Sequence, residues 1–205
     1  VEIPVDLMDE EVPEPLDYTP TSSRRSAPDP EDVEEAARLL VEARSPVIYA
    51  GQGVHYARAW PQLRRLAELL AAPVTTSLQG KSAFPENHPL SLGTAGRSMP
   101  KAVHHFLHQA DVIFGVGCSF STTNYGVTIP PGKVVVHATL DPADLNKDVV
   151  AAHALIGDAG LTLDALVAAV EERLGEDGRD SAQVAGEIGR IRAEWLAQWM
   201  PKLTS

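Results

Sequence analysis

The chain carries a single cysteine, Cys118. That scarcity excludes an internal disulfide and any multi-cysteine zinc knuckle. Basic residues are also few: 17 Lys and Arg stand against 28 Asp and Glu, for a formal net charge of −11. Binding to nucleic acid through the phosphate backbone needs clustered Lys and Arg, so no nucleic-acid partner is expected. No apolar run is long enough to cross a bilayer, and no charged-then-apolar leader is visible. These absences set the expectation of a cytoplasmic protein with no membrane partner. An initiator Met is missing too. The chain starts at Val1, and Val1 to Asp6 alternates like the end of a strand, so a piece cut from something longer is expected.

What is present suits one substantial core: 205 residues, 44% hydrophobic and 22% charged. The organising stretch is Ser45 to His55, where Pro46 opens the apolar run Val47 to Ala50 and Gly51 and Gly53 close it. An unbroken apolar run between Pro and Gly suits a strand buried on both faces of a parallel sheet. Further strands are expected at Ala72 to Leu78, Asp111 to Gly117, Lys133 to Leu140 and Ala154 to Ile156. Asp29, Pro30, Glu31 and Asp32 start a helix by capping, by proline at the first helical position and by acids in the first turn. Apolar residues at helical spacing mark further helices from about Tyr56, from about Pro100, and around Leu163 to Val170. Gln79 to Ser98 reads as a long loop, and long loops in compact domains tend to be functional. The fold class is therefore α/β, a three-layer Rossmann-like domain with a mainly parallel sheet of about five or six strands. Its expected divisions are 1–28, the end of a preceding domain and a linker; 29–175, the central domain; and 176–205, a terminal amphipathic helix.

Glycines and acids fall together at the expected carboxyl ends of the strands, where open α/β sheets place ligands. Gly51-x-Gly53 lies between a strand and a helix, but Tyr56 stands at the third position of the dinucleotide fingerprint. The second strand also ends without an acid for a ribose, so a nicotinamide site has little support. Asp141 can accept hydrogen bonds from ribose hydroxyls or can simply cap the turn at Pro142. His104 and His108 share a helix face, yet no third ligand is evident and exposed helix histidines are the better reading. Cys118 lacks the context of a nucleophile turn, and no catalytic set emerges. The Ser23-Arg24-Arg25-Ser26 run reads as solvated linker.

Six stretches taken in order resemble the central domain of thiamine diphosphate-dependent enzymes of the acetolactate synthase and 2-oxo-acid decarboxylase group. They are Val1 to Leu7, Ser45 to Val54, Ala72 to Lys81, Ala110 to Gly117, Val136 to Asp141 and Ile156 to Asp158. The resemblance implies a non-catalytic middle domain, with thiamine diphosphate and magnesium held by missing N- and C-terminal domains of the same enzyme. It implies a homodimer or homotetramer in that parent. It also implies a strand-end site that holds FAD in some members and ADP in others and is left empty in the rest, near Gly51, Gly53, Gly93, Gly96, Gly117, Asp141 and Asp158. Two departures stand out. Of the Arg-Phe-Asp-Asp run of flavin-binding members only Phe120 is kept, and Thr139 replaces the first of two acids. The alternatives are a stand-alone Rossmann-type enzyme using NAD and a purely structural role.

Overall fold

In a computed structural model, which describes residues 4–12, 14, 15, 17–22, 24–126 and 128–204, six parallel strands form one sheet in the order β3-β2-β1-β4-β5-β6. The strands are β1 (Pro46–Ala50), β2 (Val74–Thr76), β3 (Ser91–Thr94), β4 (Val112–Val116), β5 (Val134–Thr139) and β6 (His153–Ile156). The chain winds outward from β1 to β3, then returns to β4 and winds the other way. This reversal makes the β1/β4 junction the switch point of the sheet. Every residue of β1 and of β4 is buried, as expected for strands covered on both faces.

The helices are α1 (Pro30–Glu42), α2 (Gly53–Tyr56), α3 (Trp60–Leu70), α4 (Lys101–Gln109), α5 (Ala159–Leu174) and α6 (Ala182–Leu203). Asp29 starts α1 as the sequence suggests, its side chain accepting from the Glu31 amide at 2.9 Å. Helices α1, α3 and α5 form one outer layer, whose core includes Leu40, Leu63, Leu66 and Leu163 against Ile48 and Phe114. On the opposite face, Val103, Phe106 and Leu107 of α4 and Ile188 and Ile191 of α6 meet Val47, Tyr49 and Ile113. The first half of α6 is thus docked on the domain, held also by His105 against Glu187 at 2.7 Å and by Arg192 donating to the Ser91 carbonyl. His105 is therefore half-buried and paired. Among the described residues, no helix is long and apolar enough to cross a membrane.

Three expectations need correction. The loop read at Gln79 to Ser98 contains the edge strand β3, which Ser-Leu-Gly-Thr does not advertise: it has one large apolar residue, and its glycine has a positive φ. The pairing of β2 with β3 also shifts register between Val74 and Thr75. The helix expected from Tyr56 is two helices, broken where Arg58 takes a φ of 53°. The strand end expected at Val1 to Asp6 is a 3-10 turn over Val5–Asp9, with residues 1–3 outside the described residues. In the linker, Ser23 likewise lies outside them. Just beyond it, Arg25 approaches Asp158 at 3.6 Å and the Ser26 carbonyl accepts from the Asp158 amide at 2.8 Å.

Candidate functional site

The carboxyl ends of β1, β4, β5 and β6 enclose a cleft of about 510 Å³. Its floor is a backbone interlock. A Cβ on Gly51 would lie 2.2 Å from the Gly117 oxygen, and one on Gly53 would lie 2.7 Å from the Gly117 Cα. The Gly53 amide donates to the Gly117 carbonyl at 2.8 Å, and the Gly51 amide to that of Val116 at 2.9 Å. These glycines let two strand ends touch, and the two amides are already satisfied inside the fold.

The acids form the rim. Asp141 uses Oδ1 to cap a 3-10 turn at Pro142–Asp144, accepting from the Ala143 amide at 2.9 Å. Asp158 caps α5, its Oδ1 accepting from Gly160 and Leu161, each at 3.1 Å. In each case Oδ2 remains as an acceptor. Four of the seven residues expected near a ligand, Gly53, Gly117, Asp141 and Asp158, line this cleft together. Gly51 lies packed against the Gly117–Cys118 backbone, Gly93 is in the edge strand, and Gly96 lines a separate groove with Arg97 and Lys133.

A buried polar group at the cleft was not picked out from sequence. Tyr49 lines the cleft and stacks on Phe120 with centroids 5.4 Å apart, and Phe120 meets His137 edge-on at 4.9 Å. The His137 Nε2 donates to the Cys118 carbonyl at 2.7 Å, which leaves Nδ1 without a partner among the described residues. Phe120 takes a φ of 49°, and its ring lies where a Cβ on Gly115 would come within 2.2 Å. That strand-interior glycine was the available signal, since Gly inside a strand often marks such a close approach.

Burial sets the protonation of this group. It holds the His137 imidazole below its usual pKa, so the ring is neutral at pH 7. It raises the Tyr49 phenol well above the usual range. It also pushes the Cys118 thiol up to about 12, with Asp144 adding to the shift. A thiol held in that state is a poor nucleophile. His104 and His108 do not converge with other ligands: their rings stack at 3.9 Å and the His108 Nδ1 donates to the His104 carbonyl. Among the described residues, no three His, Cys, Asp or Glu side chains are grouped to hold a metal ion.

Fold and cleft together define a doubly wound α/β domain with a strand-end crevice rimmed by aspartates and backed by a neutral imidazole, a phenol and a thiol. Comparison with known proteins makes this specific. The family model described as "Thiamine pyrophosphate enzyme, central domain" matches residues 33–166, from α1 into α5, and the chain belongs to that family. It is 36% identical over 179 residues to a probable acetolactate synthase large subunit of Methanocaldococcus jannaschii, covering 83% of this chain and 30% of that protein. It is 33% identical to the sulfoacetaldehyde acetyltransferase of Rhodobacter capsulatus, covering 94% of this chain and 32% of that protein. Among solved structures, benzoylformate decarboxylase from Polynucleobacter necessarius superimposes with a TM-score of 0.66 at 27% identity, over 87% of this chain and 33% of that one. The chain thus spans about a third of the length of each of these three proteins. None of these similarities supports the stand-alone NAD enzyme.

Proposed function

We propose that this chain serves as the central, non-catalytic domain of an acetolactate synthase-like enzyme acting on 2-oxo acids. On this reading residues 1–28 arrive from a preceding domain, 29–175 form the central domain, and 176–205 lead toward a following one. Thiamine diphosphate and magnesium belong to the flanking domains, and the parent is a cytoplasmic homodimer or homotetramer. The observation that carries the reading is the family match running across the whole sheet, from α1 into α5. The cleft agrees with it. Among the described residues, Asp141, Asp144 and Asp158 line it and no Lys or Arg does, which is a poor setting for a diphosphate.

FAD or ADP fits this cleft only in part. The free oxygens of Asp141 and Asp158 suit ribose hydroxyls, and Ala138, Leu140 and Ala159 offer apolar surface to a base. The amides of Gly53 and Gly117, by contrast, donate to the carbonyls of Gly117 and Ala138 and are not offered to a phosphate. The nucleoside end fits and the diphosphate does not.

Calorimetric titration of the chain tests this reading. Thiamine diphosphate with magnesium is expected to give no binding heat, and adenosine to bind in a manner weakened by Asp141→Asn. Tight binding of thiamine diphosphate to this chain alone, or of NAD in place of adenosine, would overturn it. A longer polypeptide carrying both flanking domains is expected to consume pyruvate when supplied with thiamine diphosphate and magnesium.

A further inference from the structure

A second groove of about 640 Å³ lies beside the cleft, and Gly126 lines both. Its chemistry is the reverse. Among the described residues, Arg97 and Lys133 line it and no Asp or Glu does, and Met99, Pro130 and Pro131 give it apolar walls. In a chain of net charge −11, a groove lined by two cations and no acid is out of keeping with the whole.

Lys133 is held through its ammonium and Arg97 through its backbone. Lys133 Nζ donates to the His108 carbonyl at 2.5 Å, the last turn of α4, and two of its three N–H groups remain. The Arg97 amide donates to the Tyr125 carbonyl at 3.1 Å, which pins its backbone beside Gly126. The Arg97 guanidinium has no hydrogen bond or ion pair among the described residues. Arg38, Arg64, Arg65, Arg173 and Arg190, by contrast, each meet a glutamate. A guanidinium with its fork of donors unused suits an oxyanion, with the ammonium as a second point charge.

We propose that this groove is a binding site for a small organic anion, its oxyanion head on Arg97 and Lys133 and its short apolar tail against Met99, Pro130 and Pro131. The site is independent of the nucleoside reading of the cleft. A phosphate head and a carboxylate head share the recognition chemistry, and the apolar walls favour a carboxylate with an aliphatic tail.

The test is a titration of the isotopically labelled full chain with butyrate, acetate and inorganic phosphate, followed through the backbone amide signals of Gly96, Arg97 and Gly126. Butyrate is expected to give saturable shifts, to bind more tightly than acetate, and to lose affinity as salt is added. Arg97→Ala is expected to weaken butyrate about tenfold, with Lys133→Ala weakening it further. Arg97→Gln serves as a second variant that keeps polar bulk while removing the charge. Thermal melts of each variant separate a lost site from a lost fold. Absence of saturable shifts, equal affinity for butyrate and acetate, phosphate binding without butyrate binding, or unchanged affinity in a folded Arg97 variant would each overturn the proposal. Adenosine binding, read in the same samples, reports the cleft separately.

Discussion

The glycines after β1 and β4 and the aspartates after β5 and β6 meet the same cleft in different ways. Gly51, Gly53 and Gly117 leave no unfilled space: the volume a side chain would take is occupied by backbone from the neighbouring strand end. Asp141 and Asp158 commit one oxygen to a cap and keep the other. The centre of the sheet edge is therefore closed and structural, whereas its outer rim still has hydrogen-bonding capacity. Small residues at a strand end do not by themselves make room for a ligand.

Substitutions can break this contrast. Gly51→Ala is expected to have the largest effect, because its Cβ would meet backbone atoms that cannot swing aside. We expect a loss of at least about 4 kcal/mol or failure to fold, measured by urea denaturation. Gly115→Ala should cost less, about 1–3 kcal/mol, since the clash is with the movable Phe120 ring. Adding Phe120→Leu should recover part of that loss, and a double-mutant cycle checks the coupling. Asp158→Ala should remove about 1 kcal/mol through the lost α5 cap. Asp141→Ala, capping only a three-residue 3-10 turn, should lie within about 0.5 kcal/mol. An Asp141→Ala loss equal to that of Asp158→Ala would dissolve the distinction between the two caps.

The smallest expected effect is a pH dependence. Burial lowers the His137 pKa in the folded chain, so below an unfolded value of about 6.5 the unfolded state binds more protons. Stability is therefore full above about pH 6.5 and falls as pH drops toward the folded pKa. Glu35, Glu68, Asp111 and Glu194 are held below their ordinary values and stop contributing only at lower pH. As pH falls from 7 to 5, denaturation midpoints should decline in the native chain and stay flatter in His137→Gln. An equal decline in both would assign the effect elsewhere.

The sequence marks β1, β4 and β5 clearly because each is a dense apolar run with Pro, Gly or Asp at its boundary. It hides β3, whose short Ser-Leu-Gly-Thr segment is a strand through its pairing with β2 rather than through its own propensity. The break at Arg58 is equally silent, since a left-handed arginine leaves no compositional trace. At the site, Gly53, Gly117, Asp141 and Asp158 could be read from their position after strands. Tyr49 and His137 could not, because alternate residues of a doubly covered strand look like core whichever face they take. Gly96 was expected at the main cleft and lies on the basic groove instead, since β3 carries it to the side of the sheet.

The segment Arg25 to Pro28 runs across the end of β6. Ser26 accepts from the Asp158 amide, and a Cβ on Gly157 would lie 2.8 Å from the Pro28 nitrogen. That contact works as a fairlead on a rope: chain can be paid out upstream without disturbing what lies beyond. Residues inserted before Arg25 would lengthen an exposed stretch, whereas one residue inserted between Ser26 and Asp29 would pull both the start of α1 and the end of β6 out of register. Length variation in this family of chains should accumulate on the near side of Arg25 and stop there.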